Sequence, residues 1–222
     1  AGASAITVEI KDGGKSYIRI TDNGCGIPED ELSVAFMRHS TSKLRDASEL
    51  ADIHTRGFRG EALSSISAVS RVEMITTPAD TLMGVRYVIE GSKEVSLDKI
   101  GAPDGTTIMV YQLFFNTPAR KKFLKTDTTE ASYISELMER LALSHPDISF
   151  CFISNKKEKI HTSGNGNLMD TIYQIYGRLI ASNLLAVEKE TDLLKVSGFI
   201  GNSNVARGNR SLENFYINGR YI

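Results

Sequence analysis

Near the start of the chain, Asp22-Asn23-Gly24-Cys25-Gly26-Ile27 sets a carboxylate beside two glycines. Further on, Gly57-Phe58-Arg59-Gly60-Glu61 sets a cation between two glycines ahead of a helical stretch. A carboxylate accepts hydrogen bonds, and an exocyclic amine such as that of adenine donates them. Gly24 and Gly26 allow positive φ and a close backbone approach to a planar base. The same residues also suit an Asx-type turn, in which Asp22 accepts backbone N–H groups before Pro28. For the second motif, free N–H groups at a helix start favour a phosphate. A plain glycine-rich connection, with Arg59 paired to a carboxylate, competes with that reading.

Two further stretches belong with these. Arg38-His39-Ser40-Thr41-Ser42-Lys43 offers hydroxyls and cations on a polar loop, suited to phosphate oxygens and to a closing lid. A solvated surface loop explains most of those residues taken singly, and His39 has no Ser or Asp partner at a spacing that would make it catalytic. After Gly105, Thr106 opens a strand from which its hydroxyl can support Asp22, although β-propensity alone accounts for two threonines there.

Alternation in Ile6, Val8 and Ile10 predicts a strand, and Tyr17 to Thr21 a second, joined by a turn at Asp12-Gly13-Gly14-Lys15. Pro28 opens a helix with acids in its first turn. Residues 38–55 read as a polar loop with a short helix near 49–53, residues 60–69 as a helix and 71–77 as a strand. Strands follow at 85–90 and 106–114, separated by a loop, and Pro118 turns into a helical region. Ile134, Leu137, Met138 and Leu141 give a clear amphipathic helix that His145-Pro146 ends. Beyond it lie strands at 148–154 and 156–162, a helix at 168–176, and strands near 193–200 and 215–217. A domain boundary is expected near Pro146, giving units 1–145 and 146–222.

The chain has 222 residues, 41% hydrophobic and 24% charged, which suits one large globular domain or two smaller ones. Its formal net charge of −1 gives no global basic field, so any polyanion contact must rest on local groups. These are Arg120, Lys121, Lys122 and Lys125, then Lys156, Lys157 and Lys159, then Arg207, Arg210 and Arg220. Cys25 and Cys151 alone make neither a disulfide framework nor a metal site, which fits a reducing compartment. No apolar run approaches a bilayer span, so no membrane role is expected.

The four motifs, D-N-G-C-G-I, R-H-S-T-S-K, G-F-R-G-E-A-L and G-T-T, occur in an order that resembles the GHKL ATPases. Details resemble the MutL mismatch-repair proteins: Leu113-Phe114-Phe115-Asn116-Thr117-Pro118-Ala119-Arg120, Lys122-Phe123-Leu124, and Asn218-Gly219-Arg220. The resemblance covers nearly the whole chain. It implies an α+β protein: a GHKL (Bergerat) two-layer α/β sandwich followed by a ribosomal-S5-domain-2-like α+β domain. It implies an ATP site in which Asp22 meets the adenine amine, Gly24 and Gly26 shape the base pocket, and Thr106 backs up Asp22. Thr41, Ser42 and Lys43 would belong to the lid, and Gly57, Phe58, Arg59 and Gly60 would meet the phosphates.

The same resemblance implies ATP with Mg2+, ATP-dependent self-association, and non-specific DNA binding on a face that carries Arg220, with Arg210 and Arg207. Partners would be a MutS-type mismatch-recognition protein and a downstream nuclease or helicase. The location would be the bacterial cytoplasm, at the nucleoid, or a eukaryotic nucleus. The family's general-base glutamate and Mg2+-binding asparagine would precede Ala1, so this chain is expected to hold ATP, to cleave it poorly and to leave part of its sheet uncovered. A gyrase-type ATPase subunit, or a nucleotide- or DNA-binding module without catalysis, are the alternatives.

Overall fold

A computed structural model describes residues 2–37 and 61–222. Among them, β1 (Ala5–Lys11) and β2 (Tyr17–Asp22) form the expected hairpin, with Ile6 opposite Asp22 and Lys11 opposite Tyr17. Helix α1 (Glu29–Ala35) follows Pro28 and carries Glu29, Asp30 and Glu31 in its first turn, where the helix dipole favours acids. Helix α2 (Ala62–Ala68) leads into β3 (Arg71–Thr77), β4 (Gly84–Glu90), β5 (Lys93–Ile100) and β6 (Gly105–Tyr111). Then come α3 (Pro118–Lys122), α4 (Asp127–Ser144), β7 (Ser149–Ser154), β8 (Lys157–His161) and α5 (Leu168–Ala181). Two small sheets close the order, β9 (Leu184–Glu190) with β10 (Lys195–Gly201), and β11 (Tyr216–Ile217) with β12 (Arg220–Tyr221).

The main sheet has eight strands in the order β5-β4-β3-β6-β2-β1-β7-β8. Every neighbouring pair is antiparallel except β1 with β7. Helices pack on one face in two clusters. Leu32, Phe36, Val72, Met74, Tyr87 and Val110 form one, and Val8, Ile10, Met138, Ala142, Phe150 and Phe152 form the other. Ile18 touches both, so they share a face. The opposite face carries ion pairs between Arg19 and Glu9 (2.8 Å) and between Arg86 and Glu73 (2.6 Å). This is the two-layer sandwich that the family resemblance implies.

Three expectations change. Residues 93–100 form β5 where a loop was expected, because its alternation is hidden: Val95 and Leu97 lie on an exposed edge among Lys, Glu and Asp. Strand β9 was also missed, since its apolar residues Leu185 and Val187 stay exposed and give no burial pattern. The boundary at Pro146 falls inside the main sheet. Strand β7 pairs with β1 from Ala5↔Ser149 to Ile10↔Ser154, and Phe150, Phe152 and Ile160 are buried in the same cluster as Val8. Parallel strands need a long crossover, and here the path to β7 ends in α4, which lies on the sheet. His145-Pro146 therefore ends a helix without ending the domain.

Strands β1 and β2 also line an open apolar cleft of about 420 Å3 beside α4, bounded by Ile6, Val8, Ile18, Ile20, Leu137 and Leu141. Ile20 is 40% exposed there.

Phe152 is 1% exposed and sits where β7 meets α4. Phe152→Ala is expected to cost about 3–5 kcal/mol in urea unfolding, within one cooperative transition that includes β1–β6. A separate transition for residues 146–222 would restore the boundary at Pro146.

Candidate functional site

Asp22 is the last residue of β2 and lies opposite Thr106 of β6. Its Oδ1 accepts the Gly24 N–H at 2.8 Å, so the Asx turn forms. The turn and the binding reading are compatible, because the carboxylate keeps a second oxygen that makes no hydrogen bond among the described residues. Asn23 anchors the same loop from behind. Its Oδ1 accepts the N–H groups of Ser4 and Ala5, both at 2.9 Å, at the entry to β1.

Two close approaches hold the loop in place. Gly105 has φ +109, and a Cβ there would lie 2.2 Å from the Asp22 carbonyl oxygen. Gly26 has φ +69, and a Cβ there would lie 2.3 Å from the Thr77 carbonyl oxygen. Any L side chain at either place meets both backbone strain and a backbone atom. Gly24 is buried and is not among the positive-φ glycines, so its part is space and not conformation.

Thr76, absent from the expected site, sits at the junction. It is fully buried at the end of β3. Its hydroxyl accepts the Ile27 N–H at 2.8 Å, donates to the Gly105 carbonyl at 3.1 Å, and meets the Thr106 hydroxyl at 3.1 Å. Thr106 thus pairs with Asp22 through the backbone while its hydroxyl contacts Thr76. The signal for Thr76 was weak, because a threonine in a strand is ordinary β-propensity.

The structure therefore brings Asp22, Gly24, Gly26 and Thr106 together at one end of the sheet. Thr41, Ser42, Lys43, Gly57, Phe58, Arg59 and Gly60 lie outside the described residues, as do His39 and the helix expected near 49–53. The arrangement offers a hydrogen-bond acceptor at the rim of a strand end, backed by a rigid, glycine-lined loop.

The sequence profile described as histidine kinase-, DNA gyrase B-, and HSP90-like ATPase matches residues 1–112, which contain this loop and its strands. The chain belongs to this ATPase family. A second profile, described as DNA mismatch repair protein, C-terminal domain, matches residues 172–222. The DNA mismatch repair protein MutL of Agathobacter rectalis is 64% identical over 222 residues, covering 100% of this chain and 34% of that protein. MutL of Caldanaerobacter subterraneus subsp. tengcongensis is 46% identical over 222 residues, 100% of this chain and 38% of that protein. The chain spans about a third of the length of these curated relatives.

Among solved structures, the Aquifex aeolicus MutL ATPase domain complexed with ADP aligns with TM-score 0.75 and 25% identity, over 99% of this chain and 75% of that one. The N-terminal domain of a DNA repair protein aligns with TM-score 0.81 and 25% identity, over 99% of this chain and 69% of that one. Within the ATPase family the chain is thus a MutL-type sequence, with the GHKL sandwich followed by an α+β region.

Arg220 on β12 lies in that second region. It lines a cleft of about 280 Å3 with Leu137, Arg140, Leu141, Ser144 and Tyr221. The Arg140 guanidinium stacks over the Tyr221 ring at 4.1 Å, and the Tyr216 hydroxyl donates to the Arg140 carbonyl at 3.1 Å. Arg210 pairs with Glu213 at 3.7 Å, and Arg207 is exposed before β11.

Removing the Thr76 hydroxyl leaves the part-buried Ile27 N–H without its acceptor, a loss of about 1–3 kcal/mol. Thr76→Val should lower the unfolding midpoint and weaken nucleotide binding by about tenfold, while Thr76→Ser should keep both. Calorimetric titration and urea unfolding on the same samples check this.

Proposed function

We propose that the parent protein is an ATP-driven conformational switch of DNA mismatch repair, and that Asp22 holds the adenine amine. The observation that carries the reading is the Asp22 carboxylate, fixed by one oxygen at the end of β2 with the other left available. A fixed acceptor loses little freedom on binding and rejects a base that lacks the donor. Gly24 and Gly26 give the base its space, and Thr106, tied to Thr76, keeps the strand end rigid. In this reading Thr41, Ser42 and Lys43 form the lid, and Gly57, Phe58, Arg59 and Gly60 hold the phosphates.

Asp22→Asn keeps the size and removes the charge. Loss of ATP affinity by tenfold or more, about 1.4 kcal/mol, is expected in a calorimetric titration. Unchanged affinity would remove Asp22 from the base pocket.

ATP binding is the event that changes the protein's state, since a bound γ-phosphate can order a segment that contacts it. That ordering would drive self-association, and hydrolysis would reset it. Mg2+ usually keeps several waters and joins the protein through one or two oxygens and the phosphates. In our reading residues 1–222, assayed alone, bind ATP and turn it over slowly. A steady-state assay with full family-level turnover by these residues would overturn that statement.

DNA binding in this reading is non-specific and backbone-directed, with Arg220, Arg210 and Arg207 among the contacts. A MutS-type recognition protein and a downstream nuclease or helicase would be the partners, in a bacterial cytoplasm. Among the described residues no helix is long and apolar enough to cross a membrane.

A further inference from the structure

The end of the main sheet opposite Asp22 gathers two basic runs that are far apart in sequence. Asp22 pairs with Thr106, whereas Tyr17 pairs with Tyr111, so β2 and β6 carry this end roughly 17 Å from the nucleotide end at ~3.4 Å per residue. The β1–β2 turn sits at its centre. On one side Lys15 donates to the Lys125 carbonyl at 2.6 Å and pairs with Asp127 at 2.7 Å, and the Leu113 N–H bonds the Lys15 carbonyl at 3.0 Å. On the other side the Asp12 N–H bonds Asn155 Oδ1 at 3.1 Å, and the Asn155 N–H bonds the Ile10 carbonyl at 2.9 Å. Lys125, which follows the run Arg120-Lys121-Lys122, and Asn155, which precedes Lys156 and Lys157, thereby flank one turn.

The charges at this end are unbalanced. Arg120, Lys121, Lys122, Lys125, Lys156 and Lys157 are exposed and have no carboxylate partner among the described residues. The local acids, Asp12, Asp127, Glu130 and Glu158, are fewer than these cations, and Asp127 is paired with Lys15 while Glu158 lies 3.6 Å from His161. Elsewhere Arg19, Arg71, Arg86, Lys99, Arg140 and Lys195 are each ion-paired. Lys156 is also costly where it stands. With Asn155 at φ 49 and Lys156 at φ 66, the two-residue β7–β8 turn has the positive angles of a type I′ turn, where glycine is favoured at the second place. Local backbone preference does not account for a lysine there.

We propose that this end of the sheet is a second contact surface for the DNA phosphate backbone, separate from the Arg220 region. Unpaired exposed cations gathered around one turn, on a chain of net charge −1, fit a polyanion whose counterions they displace. The surface has no side-chain arrangement for reading base edges, so the contact is sequence-independent. Its distance from Asp22 exceeds the screening length of about 10 Å at 0.1 M salt, so nucleotide affinity is insulated from its charge. The inference rests on the DNA-binding reading above.

The test uses the full-length protein that carries this chain. Anisotropy of a labelled random-sequence duplex is followed across a salt series, and ATP affinity is measured on the same preparations. Lys121→Gln/Lys122→Gln/Lys125→Gln should weaken duplex binding about tenfold or more at ~0.1 M salt and flatten the log–log salt slope by about 2–3, with ATP affinity unchanged. Lys156→Gly relieves the positive φ and so preserves the fold, yet should flatten the slope by about 1. If both variants bind as wild type while Arg220→Glu weakens binding, the sheet end is not a contact and the DNA reading survives. Wild type that binds no duplex at low salt removes the DNA reading and this surface with it. Should the triple variant also lose ATP, Lys156→Gly decides, and an unchanged slope overturns the proposal.

Discussion

The close approach of β6 to the end of β2 is the contact on which the site depends. Gly105 lies so near the Asp22 carbonyl that a Cβ has no room, and the next residue, Thr106, pairs with Asp22. Strand β6 sits between β3 and β2, so this junction joins the two halves of the sheet at the level where the loop of residues 23–27 leaves it. The Thr76 hydroxyl and Gly26 then fasten that loop across the end of β3. A carboxylate held this way has one oxygen fixed and one without a hydrogen bond among the described residues, which is preorganisation in a concrete sense.

Packing on the helical face keeps the junction in register. A one-residue slip in β1 or β2 would turn Ile6, Val8, Ile10 and Ile18 away from the helices. Burial of each such side chain contributes about 1.5–3 kcal/mol, whereas exposed ion pairs such as Lys99 with Glu29 contribute about 0–1 kcal/mol. The apolar alternation therefore sets where Asp22 ends up. Helix α4 has a second task, because the β11–β12 hairpin rests against it through Tyr216, Tyr221 and Arg140. The same helix thus touches the main sheet and the region that carries Arg220.

Much of this was legible in the chain. The β1–β2 hairpin, α1 after Pro28 and α4 with its Ile134-Leu137-Met138-Leu141 stripe all form as their patterns predict, since local periodicity reports a half-buried element directly. Strands β5 and β9 were illegible for the converse reason: their apolar residues are exposed, so no contrast marks a buried face. The expected helix at 168–176 ends where Gly177, φ 79 and ψ 175, leaves helical geometry, and a further short turn after it completes α5.

Residue types and spacing by themselves determined the motif set, with Asp22 as acceptor, Gly26 as a place for positive φ, and a helix ended by His145-Pro146. Those properties are written into single residues and their neighbours. Only the tertiary structure decided that β7 completes the first sheet beyond Pro146, that Thr76 ties the loop to Thr106, and that Lys125 and Asn155 are tied to the same β1–β2 turn. Each of these joins segments distant in sequence, and no local pattern encodes which strands will be neighbours when several are equally apolar.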